Sequence, residues 1–396
     1  MDDFSRSEAS EHYERAMALE RAGRITEALA EYRRAVDVDP GFAAAHEALG
    51  YHYQRRGLLV KACDAFQTVA RLEGHYNAHF NLGFILVEVE RYEEALESFH
   101  RCLALTPDDP AALYEIAYVH YVMGQPNEAV AALRVPLASN GDDWRVHNLL
   151  GACNLGLENW QVAEAEYQLA LQLAASPAEA DEARAGLHVA QRYQEFPAGA
   201  PLGFKERAYA DAGVVVLGTA GDDGVQIAVR ERLSLTPATV GVTLRRLQTL
   251  VETLDLGLTA VVAVDRDSAP VAAAVGGLLT LPRKRLRRLP SKERPLLVLL
   301  AGHQPELLQV ALEQAPRGAL SFILALEWYT ENDLLPDLIG VPVQRAIPPA
   351  RRQGDERQVR SATRALLEVC AATLDKAEQE AQVRFYREHR RLRFLD

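Results

Sequence analysis

An all-α solenoid of repeated helical hairpins, followed by an α/β domain with a mostly parallel sheet and a long C-terminal helix, is the fold class this sequence predicts. Three observations predict it. Ala28, Ala62, Ala95, Ala129 and Ala163 fall in phase at intervals of 34, 33, 34 and 34 residues, the period of a helical-hairpin repeat. Pro197, Gly199, Pro201 and Gly203 then interrupt the helical pattern. Beyond them, short apolar runs alternate with amphipathic segments, as in a parallel sheet with helical crossovers. The 396 residues exceed one ordinary core, and the expected division is a repeat array at 1–196, a linker at 197–203 and an α/β domain at 204–396.

The repeat register aligns Ala16, Gly50, Gly83, Ala117 and Gly151, and four positions past each phasing alanine stand Tyr32, Phe66, Phe99, Leu133 and Tyr167. Two antiparallel helices approach to about 8–10 Å only where a small side chain leaves room, and a neighbouring ring fills the gap. A single hairpin cannot bury both faces, so the units stack and the array closes with a capping helix. Ser176 as N-cap and Pro177 at the first helical position open that helix, which should run to about Glu195. Pro136 falls inside the second helix of unit four and should stop or kink it near Val135.

The stretches LGYHYQRRGLLVKACDAF (Leu49 to Phe66) and LGFILVEVERYEEALESF (Leu82 to Phe99) resemble the tetratricopeptide repeat family. Histidines stand at the family's usual tryptophan position: His12, His46, His79 and His147. Stacked repeats lie about one helix diameter apart, too far for these to share a metal ion, so packing is their expected role. The resemblance implies a concave groove lined by the first helix of each hairpin. Carried over, its positions are Tyr13, Met17, Glu47, Tyr51, Asn77, Phe80, Phe84, Tyr114, Tyr118, Tyr121, Arg145, Asn148 and Leu155. Rings dominate the centre, the residue type that forms interface hot spots, although about half are expected to pack between helices instead. Arg145 is the sole groove cation and lysine is absent there, which argues against a clamp for a C-terminal carboxylate. The expected ligand is a peptide segment with apolar anchors and basic flanks.

Composition is that of a soluble globular protein: 48% apolar and 25% charged residues suit a packed globule rather than a disordered chain. Met1 to Ala9 is acidic and polar, without a secretory leader, and the longest apolar runs fall well short of a bilayer span, so a cytoplasmic location is expected. Cys63, Cys102, Cys153 and Cys370 are widely spaced and read as buried thiols. Residues 1–196 hold 31 acidic and 16 basic side chains, net −15, against a whole-chain net of −12, so the remainder is +3. The two halves should therefore attract each other or different partners, and self-association is one outcome.

In the second half, Val214–Leu217 and Val225–Val229 flank GTAGDDG as a hairpin signal. A helix follows from Thr236 and Pro237 to about Leu254. Then come a strand at Thr259–Val264, a helix from Pro270, a strand at Leu296–Leu300, a helix at Glu306–Gln314 and a strand at Ala319–Leu326. From Asp355 no Pro or Gly interrupts a helix of up to about 40 residues. The strand, the loop Asp265, Arg266, Asp267, Ser268 and the helix after it are similar to the pyrophosphate loop of phosphoribosyltransferases. The resemblance implies a phosphate-ligand loop at those four residues. It also implies two acids at the end of a second strand, where this chain has Ala301, Gly302 and His303. A general-base role for His303 and a capping role for Asp265 and Asp267 are the remaining readings of these loops.

Arg283 to Arg294 holds seven cations, and Arg384, Arg387, Arg390, Arg391 and Arg393 lie near the C-terminus; either group could meet nucleic acid. The function these features favour is a protein-interaction scaffold with a non-catalytic α/β domain, no cofactor and no membrane segment. The alternative is an enzyme or sensor that binds a phosphorylated small molecule at Asp265 to Ser268 and is recruited by the array.

Overall fold

The computed structural model describes residues 3–394 apart from 220–221, 302–304, 328–334, 348–355, 372–375 and 390. The chain forms two compact units, Met1–Leu187 and His188–Asp396.

Unit 1 is a succession of antiparallel helices: α1 (Asp3–Arg21), α2 (Ile25–Val38), α3 (Ala43–Arg55), α4 (Leu59–Glu73), α5 (Tyr76–Glu88), α6 (Tyr92–Leu105), α7 (Pro110–Val122), α8 (Pro126–Ala132), α9 (Arg134–Ser139), α10 (Trp144–Gly156), α11 (Trp160–Leu173) and the start of α12 (Pro177–Tyr193). Small-against-large packing holds it together. A methyl group built on Gly50 would meet the Phe66 ring at 2.9 Å, one on Gly83 the Phe99 ring at 2.7 Å, and one on Gly151 the Tyr167 ring at 2.9 Å. The capping helix continues the pattern, because a methyl on Gly186 would lie 2.2 Å from the other side of Tyr167. Its start is capped reciprocally: Ser176 Oγ accepts from Glu179 N at 3.3 Å, while the Glu179 carboxylate accepts from Ser176 N at 3.1 Å.

Pro136 breaks its helix as predicted, but earlier, at Leu133 rather than near Val135. The proline ring clashes with the carbonyl four residues before it, here Ala132, and cannot donate to it, so the helix ends there. Two of the four histidines pin the helices of their hairpins together: His12 Nδ1 and Glu31 Oε2, like His147 Nδ1 and Glu166 Oε2, are 2.7 Å apart. All four cysteines are buried and unpaired, and burial pushes the thiols of Cys102, Cys153 and Cys370 up to about 11, so they stay protonated at neutral pH.

Unit 2 is a three-layer α/β sandwich. Its further elements are α13 (Phe204–Ala212), β1 (Val215–Val216), β2 (Arg230–Ser234), α14 (Pro237–Leu254), β3 (Ala260–Ala263), α15 (Ala269–Leu278), β4 (Pro295–Ala301), α16 (Pro305–Gln314), β5 (Leu320–Glu327), β6 (Leu338–Ile347), α17 (Glu356–Cys370) and α18 (Lys376–Glu388). Every ladder is parallel and the order is β1-β6-β5-β4-β3. Alternate strand residues serve opposite faces. Leu296, Val298 and Leu300 share a core with residues of α14, α15 and α17, whereas Leu297 and Leu299 meet Leu308 and Ala311 of α16 and Ala208 of α13.

Unit 2 departs from the sequence reading at three places. GTAGDDG makes no hairpin and Val225–Val229 no strand: β1 and β2 (Arg230–Ser234) lie one after the other along the same edge of β6, both parallel to it. The connection is pinned instead to α14, where Arg246 donates to the carbonyls of Leu217 (3.0 Å) and Thr219 (3.2 Å) and to Asp222 Oδ1 (2.7 Å). Strand β6 had no counterpart in the reading, because Gly340 and Pro342 mimic a turn. The C-terminal helix is divided into α17 and α18 around residues 371–375, of which 372–375 lie outside the described residues, as does Asp355. The division lets α17 pack on α14 and α15 while α18 covers β1, where the Tyr386 hydroxyl donates to Val216 O (3.0 Å) and accepts from Val216 N (2.7 Å). An edge strand left open is an aggregation hazard, and here a helix closes it.

Lys205 of α13 is fully buried, with no hydrogen-bond partner for Nζ among the described residues, and lies 3.8 Å from the centre of the Phe385 ring. Burial lowers its pKa to about 8 from 10.5. A folded-state value below the unfolded one means that the charged form opposes folding below pH 8. That penalty fades as pH rises from 8 to 10.5, so stability increases across this window. Lys205→Met should flatten the rise, which can reach roughly 3 kcal/mol. Urea midpoints of both proteins measured from pH 7 to 10.5 provide the test, and parallel curves would refute it.

Candidate functional site

The face of unit 1 formed by the first helices α3, α5, α7 and α10 carries the predicted interaction residues. Tyr51, Phe84, Tyr118 and Tyr121 are 40%, 42%, 39% and 38% exposed, while the ring seam behind them is sealed. Tyr51 is anchored by Phe66, which it meets edge-on at 5.1 Å. Phe80 and Tyr114 are half-buried, and Phe80 stacks on Tyr76 at 5.7 Å and meets the edge of Phe99 at 5.7 Å. Some of the predicted rings therefore serve packing as much as contact.

Polar residues on this face tie neighbouring repeats. The Asn81 amide donates to the Tyr51 hydroxyl at 2.7 Å and to Glu47 at 3.4 Å, Gln54 donates to Glu88 at 2.8 Å, and Asn148 donates to Glu182 at 2.7 Å. Asn77 is exposed. Arg145, the predicted cation, forks onto Asp143 at 2.7 and 3.2 Å and lies 5.4 Å from the Tyr114 ring centre. Its charge is thus compensated within its own helix start. Beside it, burial raises the pKa of Glu115 above the usual carboxylate value.

At the N-terminal end of the face a recess of about 350 Å³ opens among Tyr13, Met17, Tyr32 and Tyr51, the carboxylates Glu20 and Glu47, and the basic residues Arg21, His52 and Arg55. Glu20 is held at its floor: the Tyr32 hydroxyl donates to Oε2 at 2.8 Å, and His52 Nε2 and Arg55 Nη2 lie 3.2 and 3.6 Å from Oε1. Sequence reasoning placed Tyr13, Met17, Glu47 and Tyr51 here but missed Glu20, Tyr32, His52 and Arg55. The last two sit on α3 beside Tyr51, and only the α1–α3 packing brings Glu20 to them.

In unit 2, Asp265 to Ser268 follows β3. The helix after β3 and the helix after β4 lie on opposite faces of the sheet, and β3 is its edge strand. Asp265 Oδ1 accepts from Ser268 N at 2.8 Å, and buried Ser268 Oγ accepts from Leu300 N at 2.8 Å. Arg266 and Asp267 are exposed. Gly302 and His303 lie outside the described residues.

The basic clusters are partly structural. Lys284 pairs with Glu293 at 2.5 Å, and Arg294 donates to the carbonyls of Gly318 (3.2 Å) and Phe394 (3.0 Å). Arg283 extends the sheet beyond β3 through a parallel bridge to Val261, while Arg285, Arg287 and Arg288 are exposed. Near the C-terminus, Arg391 pairs with Glu195 at 2.9 Å and Arg393 with Asp337 at 2.7 Å. Arg390 lies outside the described residues.

Two family models match the chain, one described as tetratricopeptide repeat over residues 86–153 and one as TPR repeat over residues 21–57. With the hairpin geometry, they establish that the N-terminal half carries tetratricopeptide repeats. Among curated proteins, the chain is similar to the BBSome complex member BBS4 of Xenopus tropicalis, 30% identical over 83 residues, which are 21% of this chain and 16% of that protein. It is also similar to tetratricopeptide repeat protein 33 of Mus musculus, 34% identical over 92 residues, 23% of this chain and 35% of that protein. The chain thus spans about a third or less of these relatives' lengths. A solved structure, that of YrrB, titled a TPR protein with an unusual peptide-binding site, is 21% identical, covers 44% of this chain and 90% of its own, and has a TM-score of 0.39. Among the described residues no helix is long and apolar enough to cross a membrane.

Proposed function

We propose that the tetratricopeptide repeats of unit 1 capture a polypeptide segment along the first-helix face, and that the chain serves as a protein-interaction scaffold. The observation that carries this reading is the row of exposed rings, Tyr51, Phe84, Tyr118 and Tyr121, on consecutive first helices, each about two-fifths exposed. Rings of this kind present large contact area with little rotamer entropy to lose. A segment with apolar anchors spaced to these rings is the expected partner, in an extended or helical form. Arg145 is neutralised by Asp143, so recognition of a C-terminal carboxylate is not part of the reading. Unit 2 would contribute a second, non-catalytic surface: Asp265 and Ser268 are already engaged within the fold, which weighs against a phosphate-ligand loop at Asp265 to Ser268.

The test compares wild type with Phe84→Ala and Tyr118→Ala in a pull-down from the source cells, followed by affinity measurement on the captured partner. Each change should weaken binding about 30-fold, the effect of losing a hot-spot ring. The thermal midpoint should barely move, since the rings are substantially exposed. Identical partners and affinities for all three proteins would refute the groove.

A further inference from the structure

We infer that the recess at the N-terminal end of the first-helix face takes a cationic side chain, arginine or lysine, from the captured segment, with Glu47 as its counter-charge and Tyr13 and Tyr51 as its walls. The inference rests on the groove reading and specifies the partner's chemistry at one position. Its two carboxylates are not equivalent. Glu20 is compensated at the floor by the Tyr32 hydroxyl, His52 and Arg55. Glu47 has one polar contact among the described residues, the long 3.4 Å hydrogen bond from the neutral Asn81 amide, and no cation within ion-pair distance, although Arg21 also lines the recess. It stands close enough to both rings for its charge to raise their hydroxyl pKa values, second only to burial at each.

A carboxylate beside two aromatic rings in a recess of about 350 Å³ suits a flat guanidinium or an ammonium group, which the carboxylate attracts and the rings can flank. Other occupants fit less well. An apolar side chain would strip water from Glu47 and leave its charge unpaired, and an acidic one set between Tyr13 and Tyr51 would be repelled by Glu47. The net −15 of residues 1–196 favours approach of a basic segment at long range.

The experiment selects binders from a displayed random-peptide library on the full chain. The chosen peptides are then titrated against wild type, Glu47→Gln, Phe84→Ala and Tyr118→Ala. If the inference holds, the selected peptides share an arginine or lysine. Its replacement by citrulline or norleucine, and the Glu47→Gln change, each weaken binding about tenfold, and combining the two adds little. Matching thermal midpoints for Glu47→Gln and wild type would confirm that the fold is intact. Peptides that depend on Phe84 and Tyr118 but ignore both Glu47→Gln and the loss of the peptide's cation would overturn this inference and leave the groove reading standing. Failure to obtain any peptide sensitive to these residues would overturn both.

Discussion

Gly340→Ala is expected to unfold unit 2, or to leave it so destabilised that it unfolds at low denaturant, while unit 1 stays native. Gly340 lies in β6 between the edge pair β1 and β2 on one side and β5 on the other. A methyl group there would lie 2.2 Å from the carbonyl oxygen of Leu324 and 2.9 Å from its C and Cα atoms. These are backbone atoms of a strand buried on both faces, so no rotamer change can relieve the clash. Either β5 or β6 must move, and the ladder from Phe322↔Leu338 to Glu327↔Val343 moves with it. Overpacking by a methylene ordinarily costs about 1–3 kcal/mol. A backbone clash in mid-sheet should cost at least about 3 kcal/mol, a large share of a domain's usual 5–15 kcal/mol. Hydrogen exchange read separately on the two units would show β4, β5 and β6 losing protection while α3 to α6 keep theirs. Unchanged protection in β5 would refute the assignment.

The second large effect concerns β1, the edge strand that pairs with β6 at Leu338 and Ile339. Tyr386→Phe removes one oxygen that serves both the N–H and the C=O of Val216. Gln382, 3.5 Å from the Val216 carbonyl, can still reach the acceptor, but among the described residues the N–H has no substitute. An orphaned buried donor costs about 1–3 kcal/mol, and the loss should appear as a lower urea midpoint for unit 2 with an unchanged slope. Opening the β1 edge should also promote self-association at high protein concentration, measurable by light scattering. A variant as stable and as monodisperse as wild type would show that α18 does not close the edge.

The repeats were legible because their contacts are short in sequence. Gly50 meets Phe66, Gly83 meets Phe99 and Gly151 meets Tyr167, each 16 residues on. A pattern repeated at that range leaves a local signature. The exposure of the proposed interaction residues is uneven: Tyr51, Phe84, Tyr118 and Tyr121 stand exposed, but Phe80 and Tyr114 are half-committed to packing, a distinction that depends on the rings around each. The recess at the N-terminal end was not legible as a unit, because Glu20, Tyr32 and His52 come from three helices whose convergence no periodicity records.

By itself, then, the sequence determined the hairpin stack, its seam of small and large side chains, and the alternation of strands and helices beyond residue 204, all written in spacings that a single element or its neighbour can satisfy. Tertiary structure alone decided the centre of the sheet. Val215 pairs with Leu338, and Val216 receives the hydroxyl of Tyr386, across 123 and 170 residues of chain. At such separations the residues that make Gly340 and Pro342 look like a turn are overruled by burial between two strands. A partner that distant supplies hydrogen bonds and apolar contact that local propensity cannot register.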